Sequence, residues 1–154
     1  MSRLSIWVPT NRTDRHGRYT HMDGWNEIKH ALETNRNIGS ALIREDVQHV
    51  AMWAKLAMRK QGWKRMSAES AIPCKVRLTF VERDHRRDVG NVHGGAKYAL
   101  DGLTARHKYG AGAIYDDSQV WLPEVEYRIA YVSERFSEPG IQIDIETLEE
   151  RNEA

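Results

Sequence analysis

Cysteine is almost missing from this chain, since Cys74 is the only one among 154 residues. A disulfide within the chain needs two cysteines, and a zinc knuckle needs several closely spaced cysteine or histidine ligands, so neither is expected. The seven histidines are scattered along the chain, and no HExxH sequence marks a zinc hydrolase. Cys74 is therefore expected to be a reduced thiol in the core.

Long apolar runs are missing as well. The longest one is far too short to cross a bilayer, so no membrane partner is expected. Residues 1–9 contain neither a long apolar stretch nor a small-residue cleavage site, and so do not resemble a signal peptide. With the reduced cysteine, these features predict a cytoplasmic protein.

Two catalytic signatures are absent or incomplete. No GxSxG sequence is present, which argues against a serine hydrolase with a nucleophile elbow. Residues 90–97 resemble a phosphate-binding loop, but Ala96 stands where the loop requires lysine, and Tyr98 stands where a metal-binding serine or threonine belongs. Nucleotide hydrolysis is therefore not expected.

The net charge of +1 is unevenly distributed. Residues 144–154 contain five acidic side chains and one arginine, a charge of −4, which leaves the remaining residues at about +5. This is compatible with nucleic-acid binding, although many ordinary enzymes have a similar charge distribution. We expect one domain over residues 1–146 and an acidic, frayed tail over residues 147–154.

Strand and helix patterns alternate along the chain. Apolar residues at every second position predict strands near residues 3–8, 76–82 and 141–146, and a kinked or edge strand over residues 120–132 that contains Pro123. Helical spacing predicts helices over residues 25–32, 41–61 and about 93–106, with a turn over residues 35–40. Met52, Trp53 and Met58 are expected in the core.

Two groups of basic residues can be interpreted without a ligand. The polar segment 10–24 is most simply a solvated loop, and its alternative is an arm that contacts DNA phosphates and stacks its aromatic residues on unpaired bases. Lys55, Arg59 and the cations that follow them lie near the end of the helix predicted over residues 41–61. Cations there suit the helix dipole and need no ligand.

Acidic side chains stand at two strand boundaries. Asp88 follows a predicted strand, and the pair Asp116 and Asp117 precedes another, so the three carboxylates are predicted to meet at one end of the sheet. Carboxylates are ligands that Mg²⁺ prefers, and one or two suffice when substrate phosphate completes the shell. The pattern thus predicts metal-assisted cutting of DNA, held by basic neighbours. The alternative, a helix cap at Asp88 and a polar turn at residues 116–118, stays open.

Three segments, taken in order, resemble the RusA family of Holliday junction resolvases, which occur in bacteria and their phages. The family pattern is Asp-x-Asp-Asn, a nearby lysine, a helix ending in Asp-x-Leu, and an Asp-Asp-Ser-Gln-Val type of block. The matching segments here are Arg87-Asp88-Val89-Gly90-Asn91, Lys97-Tyr98-Ala99-Leu100-Asp101-Gly102-Leu103 and Asp116-Asp117-Ser118-Gln119-Val120.

The resemblance implies a homodimeric endonuclease that uses Mg²⁺, with Mn²⁺ as an alternative, and makes paired nicks in a four-way DNA junction. It also implies an α/β (α+β) fold, with a small mixed sheet packed with two main helices, in a bacterial or phage-infected cytoplasm. Asp88 and Asp117 match catalytic, metal-binding positions, Asp116 and Asp101 match further acidic positions, and Lys97 matches a lysine that acts on the scissile phosphate. The expected DNA-binding residues are Arg12, Arg15, Arg18, Arg86, Arg87 and Asn91.

The chain departs from the family pattern at two places. Gly90 stands where the second aspartate of Asp-x-Asp-Asn belongs, and three extra residues lie between Asn91 and Lys97. His93, Asp84 or Asp101 are candidates for the missing ligand. The departure leaves two alternatives open: a catalytically weakened module that binds branched DNA, and an unrelated cytosolic α/β protein whose acidic turns are structural.

Overall fold

The computed structural model describes residues 2–148 of the chain. None of the helices in that range combines the length and the apolar character that a membrane span requires. Strands and helices follow one another in the order β1 (Arg3–Pro9), α1 (Trp25–Thr34), α2 (Arg36–Gln61), β2 (Cys74–Glu82), α3 (Val89–His93), α4 (Ala96–Leu103), β3 (Glu124–Tyr131) and β4 (Gly140–Thr147).

The four strands form one mixed sheet in the order β1-β4-β2-β3. The last strand, β4, lies between β1 and β2 and is antiparallel to both, while β2 and β3 are parallel. A parallel pair needs a long crossover, and here the crossover contains α3 and α4. The predicted α+β class, a small domain with a mixed sheet, is confirmed.

Apolar side chains on one sheet face form the core. In β4, Ile141, Ile143 and Ile145 are buried, and their neighbours in register on β1 and β2 are equally apolar. The apolar stripe of α2 covers this face, with Val47, Val50 and Ala54 among its buried residues. Burying one such aliphatic side chain stabilises the fold by roughly 1.5–3 kcal/mol, so this layer dominates the stability of the domain.

The opposite sheet face carries charged side chains that pair across strands. Lys75 Nζ lies 2.8 Å from Glu126 Oε1, and Arg77 Nε lies 2.9 Å from Glu126 Oε2. These hydrogen bonds lower the pKa of Glu126 to about 2. Arg3 pairs in the same way with Glu146 on β4, at 3.1 Å. The basic residues of this face are therefore neutralised within the protein.

The turn predicted over residues 35–40 is wrong, because α2 begins at Arg36. Asn35 caps the helix: its side-chain oxygen accepts a hydrogen bond from the backbone N–H of Asn37 at 2.8 Å. Gly39 then lies against Leu32 of α1 with no space for a Cβ, which lets the two helices pack closely. The predicted helix end is confirmed at Gly62, whose φ of 71° closes the helix in a left-handed conformation.

The helix predicted over about residues 93–106 corresponds to α4 and ends earlier, and the short helix α3 that precedes it was not predicted. α4 stops at Leu103 because Thr104 forms a bridge with Ile114, and the backbone N–H of Ala105 then donates to Ile114. The strand predicted over residues 120–132 is shorter, since it begins only after Pro123. Its edge placement is confirmed by the sheet order.

Two further predictions need correction. Met52 is 48% exposed rather than part of the core, whereas Met58 is buried as predicted. The predicted domain boundary at residue 146 is too early, because β4 continues to Thr147 and the N–H of Leu148 donates to Pro73. The rest of the predicted acidic tail, residues 149–154, lies outside the described residues.

Candidate functional site

Lys97 joins two carboxylates that come from separate parts of the chain. Its Nζ donates to Asp101 Oδ1 at 3.0 Å and to Asp117 Oδ2 at 3.1 Å. Asp101 lies four residues further along α4 and shares the lysine's face, which confirms the predicted pairing. Asp117 lies 20 residues beyond Lys97, in the loop before β3. We call these three residues the acid–lysine centre.

The fold brings Asp117 to α4 through the segment that returns after the helix. Thr104, the C-cap residue of α4, forms a parallel bridge with the fully buried Ile114, and its hydroxyl donates to the backbone oxygen of Tyr115 at 2.9 Å. The acidic pair follows directly, and Asp116 Oδ2 lies 3.6 Å from Arg106. The apolar lead-in thus positions both aspartates beside the end of α4.

The two carboxylates of the acid–lysine centre stabilise the charged form of Lys97. Hydrogen bonding to Asp101 raises the pKa of Lys97; partial burial opposes this effect, while Asp117 adds to it. The ammonium group therefore stays charged at neutral pH, and two carboxylates converge on it. The lysine side chain is nevertheless 74% exposed, so solutes can reach it.

Asp88 and Asn91 lie on the neighbouring short helix. Asp88 occupies the N-cap position of α3, but its exposed side chain makes no capping hydrogen bond. Asn91 Oδ1 accepts from the N–H of Asn26 at 2.7 Å and so holds the start of α1. Gly90 is exposed, and a Cβ there would meet nothing within 4 Å.

The structure gathers only part of the predicted catalytic and metal-binding set. Lys97, Asp101 and Asp117 come together, and Asp116 is held by Arg106. Within residues 2–148, no three histidine, cysteine or acidic side chains form a group that could hold a metal ion. Asp88 is thus not clustered with Asp116 and Asp117 here, and the assignment of metal ligands stays a prediction.

Two of the predicted DNA-binding arginines point into the protein. Arg12 Nη2 lies 2.8 Å from Asp23 and 3.1 Å from Asp46. Its Nη1 also pairs with Glu45. Arg87 is 12% exposed, with its Nε 2.7 Å from Glu82. Both guanidinium groups are therefore occupied by internal carboxylates.

The other predicted arginines remain at the surface. Arg15 hydrogen-bonds to the side chain of its neighbour His16, while Arg18 and Arg86 each pair with a nearby aspartate. Arg18, Arg86 and the aromatic ring of Tyr19 line a cleft of about 470 Å³ between segment 14–21 and the residues that follow β2. This part of segment 10–24 is compatible with the predicted DNA-contacting arm.

A buried carboxyl pair was not predicted from the sequence. Asp46 is fully buried in α2, and Asp23 is nearly so. Asp46 Oδ1 accepts from Asn11 Nδ2 and Arg12, while Oδ2 is buried and meets no donor among residues 2–148. Burial, followed by the hydrogen bond and the charge of Asp23, raises the pKa of Asp46 to about 8. Because the raised pKa keeps Asp46 protonated at neutral pH, its own proton supplies the missing donor.

The sequence does contain signals for these buried charges. Asp46 precedes Val47 and stands four residues before Val50, on the apolar stripe of α2. Glu82 shares its β2 face with Phe80, because alternate strand residues point the same way. A charge in such a position needs an internal partner, and the partner of Glu82 is Arg87.

These buried groups fix the end of segment 10–24. The hydroxyl of Tyr98 donates to the backbone oxygen of Asp23 at 2.7 Å, and burial raises the pKa of that phenol. Met22 and Asp23 are buried as well. The solvated-loop interpretation therefore holds for residues 14–19 but not for residues 22–24.

Comparison with known protein families and curated proteins found no relative of this chain. No model of a known protein family matches this chain, and no curated protein matches its sequence. The functional assignment therefore rests on the residues of the site.

Proposed function

We propose that this chain is a metal-dependent endonuclease that cuts branched DNA, making paired nicks at four-way junctions as a homodimer, as the resemblance to the RusA family implies. The observation that carries the proposal is the acid–lysine centre: Lys97 Nζ lies 3.0 Å from Asp101 and 3.1 Å from Asp117. These residues belong to two of the three segments that resemble the family, and they are adjacent in space.

A metal site in this protein would need the substrate to complete it. Mg²⁺ usually keeps several waters and takes one or two carboxylates together with substrate phosphates, so a group of three protein ligands is not required. Asp88 and Asp117 would hold Mg²⁺ or Mn²⁺, with Asp101 and Asp116 in support. When bound, such an ion polarises the phosphate and lowers the pKa of its bound water.

Lys97 has the geometry to bind a phosphate in the transition state. Its ammonium group has three donors, and two are used on Asp101 and Asp117. Asp101 shares the helix face and holds the lysine in place, while the exposure of Lys97 leaves it reachable for a phosphate oxygen. A positioned cation that meets developing negative charge lowers the barrier to cutting.

Exposed arginines, two of which line the cleft, would position the DNA. Arg15, Arg18 and Arg86 are exposed and are assigned to phosphate contacts, and Tyr19 is assigned to stacking on an unpaired base. Arg12 and Arg87 are left out of this set, because internal carboxylates hold both of them.

A labelled four-way junction, incubated with the protein and Mg²⁺ or Mn²⁺, tests the proposal. Wild type should cut the junction in preference to linear duplex. Asp117→Asn should remove the cutting and keep junction binding in a gel shift, because it removes a metal ligand without adding a repulsive charge. Asp144→Asn, on the opposite sheet face, is the matched control and should cut normally. A junction left intact by wild type with both metals counts against the proposal.

Gly90 favours a second candidate, a module that binds branched DNA but cuts it weakly. The family pattern places an aspartate there, and no group of three ligands is formed within residues 2–148. Junction binding by wild type without cutting, followed by gain of cutting in Gly90→Asp, would support this second function. Full cutting by wild type would remove it.

A further inference from the structure

One face of α2 and the loop after α4 form a basic groove. The groove has a volume of about 440 Å³, and no acidic residue lines it. Its cations are Lys55, Arg59 and Lys108, and its apolar surface includes Met52, Leu56 and Tyr109. Met52 and Leu56 are both about half exposed, although they lie in the middle of a helix.

The three cations of the groove have no carboxylate partner among the described residues, although Lys108 Nζ lies 5.3 Å from the ring centroid of Tyr109. Many of the other basic residues are paired. Arg12, Arg18, Arg77, Arg86, Arg87 and Lys75 all lie within 4.0 Å of a carboxylate oxygen. Within the part of the chain that the structure describes, Lys55, Arg59 and Lys108 have no such contact. Unpaired cations around a concave surface favour an anionic partner.

The dipole of α2 does not account for this group. It can explain Arg59, which lies in the last turn of the helix. Lys55 lies a full turn earlier, and Lys108 belongs to a different part of the chain. The helix dipole therefore explains Arg59 without a ligand, but it explains neither Lys55 nor Lys108.

The spacing suits a nucleic-acid backbone. Lys55 and Arg59 are one helical turn apart, which is about 6 Å along the helix axis. Phosphates of one DNA strand advance by about 3.4 Å each along the duplex axis, so the two cations span about two phosphates. The exposed Met52 and Leu56 offer apolar surface for the sugars between them.

We propose that this groove binds the phosphate backbone of a duplex arm of the branched DNA, on a surface separate from the acid–lysine centre. The identity of the DNA rests on the proposed function. The loop that supplies Lys108 also contains Arg106, which contacts Asp116, so one loop connects the groove with the acidic segment. Contacts of this kind are independent of sequence and set the position of the duplex.

Fluorescence anisotropy with a short linear duplex and with a four-way junction, over a range of salt concentrations, tests the groove. The groove variant carries Lys55→Gln, Arg59→Gln and Lys108→Gln. Each lost phosphate contact lowers the slope of log affinity against log salt by about 0.9, or by about 2.7 for three. Between 50 and 200 mM salt, the affinity of wild type should therefore fall by about 40-fold more than that of the variant.

The matched control removes the same charge from paired surface residues, with Arg3→Gln, Lys29→Gln and Arg128→Gln. This control should keep most of the wild-type slope. Equal slopes for the groove variant and wild type, or equal losses in both variants, would overturn the inference. So would a change in sedimentation of the groove variant with unchanged DNA binding, because the groove would then contact a second copy of the chain.

The two proposals can fail separately. If wild type cuts junctions and the groove variant binds DNA as wild type does, only the groove assignment is wrong. If wild type binds neither duplex nor junction, both proposals are wrong. If the groove variant binds weakly but cuts at the wild-type rate at saturating DNA, the groove is a binding surface apart from the catalytic residues.

Discussion

Asp46→Asn should change how the stability of this protein depends on pH. The carboxyl of Asp46 is fully buried beside Asp23, and its Oδ2 meets no donor within residues 2–148 unless one of the two groups is protonated. Asparagine has nearly the same size and carries its own donor. The variant keeps the packing and offers an amide donor beside Asp23 but cannot release a proton.

The sign of the effect follows from the raised pKa. Unfolded Asp46 titrates near the ordinary aspartate pKa of 3.8, whereas burial and Asp23 raise its folded pKa to about 8. Between these values, the folded chain holds a proton that the unfolded chain has released. The stabilisation is therefore fully present below the unfolded pKa, and it is lost progressively as the pH rises through the folded pKa.

The magnitude is set by one proton. Because the folded chain holds one proton more than the unfolded chain in this pH range, the free energy of unfolding falls by about 1.4 kcal/mol for each pH unit. Asp46→Asn lacks this contribution, so its stability relative to wild type should rise by about 2.7 kcal/mol between pH 5 and pH 7. The substitution also alters the contacts of residue 46 with Arg12 and Asn11. These effects are equal at both pH values and cancel in the change of stability between pH 5 and pH 7.

Urea denaturation, followed by tryptophan fluorescence at half-unit steps from pH 5 to pH 7, measures this difference. Glu33→Gln is a matched control, because Glu33 is exposed and its one ion pair within residues 2–148 is with Lys29 at 3.8 Å. Its curve should run parallel to that of wild type. If the curve for Asp46→Asn also runs parallel to wild type, then Asp46 holds no proton in the folded state, and the interpretation of a protonated Asp46 is wrong.

The remaining predictions concern two glycines and one tyrosine. Gly90→Asp should increase junction cutting without loss of stability, because a side chain at Gly90 meets nothing within 4 Å; a cutting assay and a thermal melt check both points. Gly62→Ala should destabilise the fold by about 1–2 kcal/mol in denaturation. The cause is the backbone alone, since φ is 71° at Gly62 and a Cβ there would meet nothing within 4 Å. Gly90→Ala is the control and should be neutral or stabilising. Tyr98→Phe leaves the backbone oxygen of Asp23 without its donor and should cost about 1–3 kcal/mol in the same assay, with Tyr131→Phe at the surface as control.

Local patterns were sufficient for much of the fold. Alternation of apolar residues predicted β1, β2 and β4, and helical spacing predicted most of α2, because these signals come from residues two to four positions apart. The insertion of β4 between β1 and β2 depends instead on pairing between the two ends of the chain, as in Leu4 with Ile145. No local pattern reports that pairing.

The errors at element boundaries have a common cause. Asn35 is of a residue type typical of turns, and it does leave the helical conformation, but its side chain caps α2 rather than ending a loop. The helix predicted to reach Arg106 stops at Leu103, because Thr104 instead pairs with Ile114. In both cases a tertiary or capping contact decides between conformations that the residue types allow equally.

The candidate site was predictable only where its contacts are local. Lys97 and Asp101 stand four residues apart on one helix, and their pairing followed from that spacing. The contact of Lys97 with Asp117 depends on the bridge between Thr104 and Ile114, and it was not predicted; the family resemblance only assigned both residues to one site. The inward direction of Arg12 depends on acidic partners as far as 34 residues away.

Basic residues in this protein are distinguished by their partners rather than by their number. The arginine-rich segment 10–24 has the higher local density, yet Arg12 is paired with Asp23 and Asp46, and Arg18 with Asp14. Lys55 and Lys108 lie in a groove without acids. An ion pair must be broken before its cation can bind a phosphate, whereas an unpaired cation gives up only water and counterions. The unpaired cations of the groove should therefore contribute more to the binding of a duplex arm than the paired Arg18, although the sequence draws attention to segment 10–24 first.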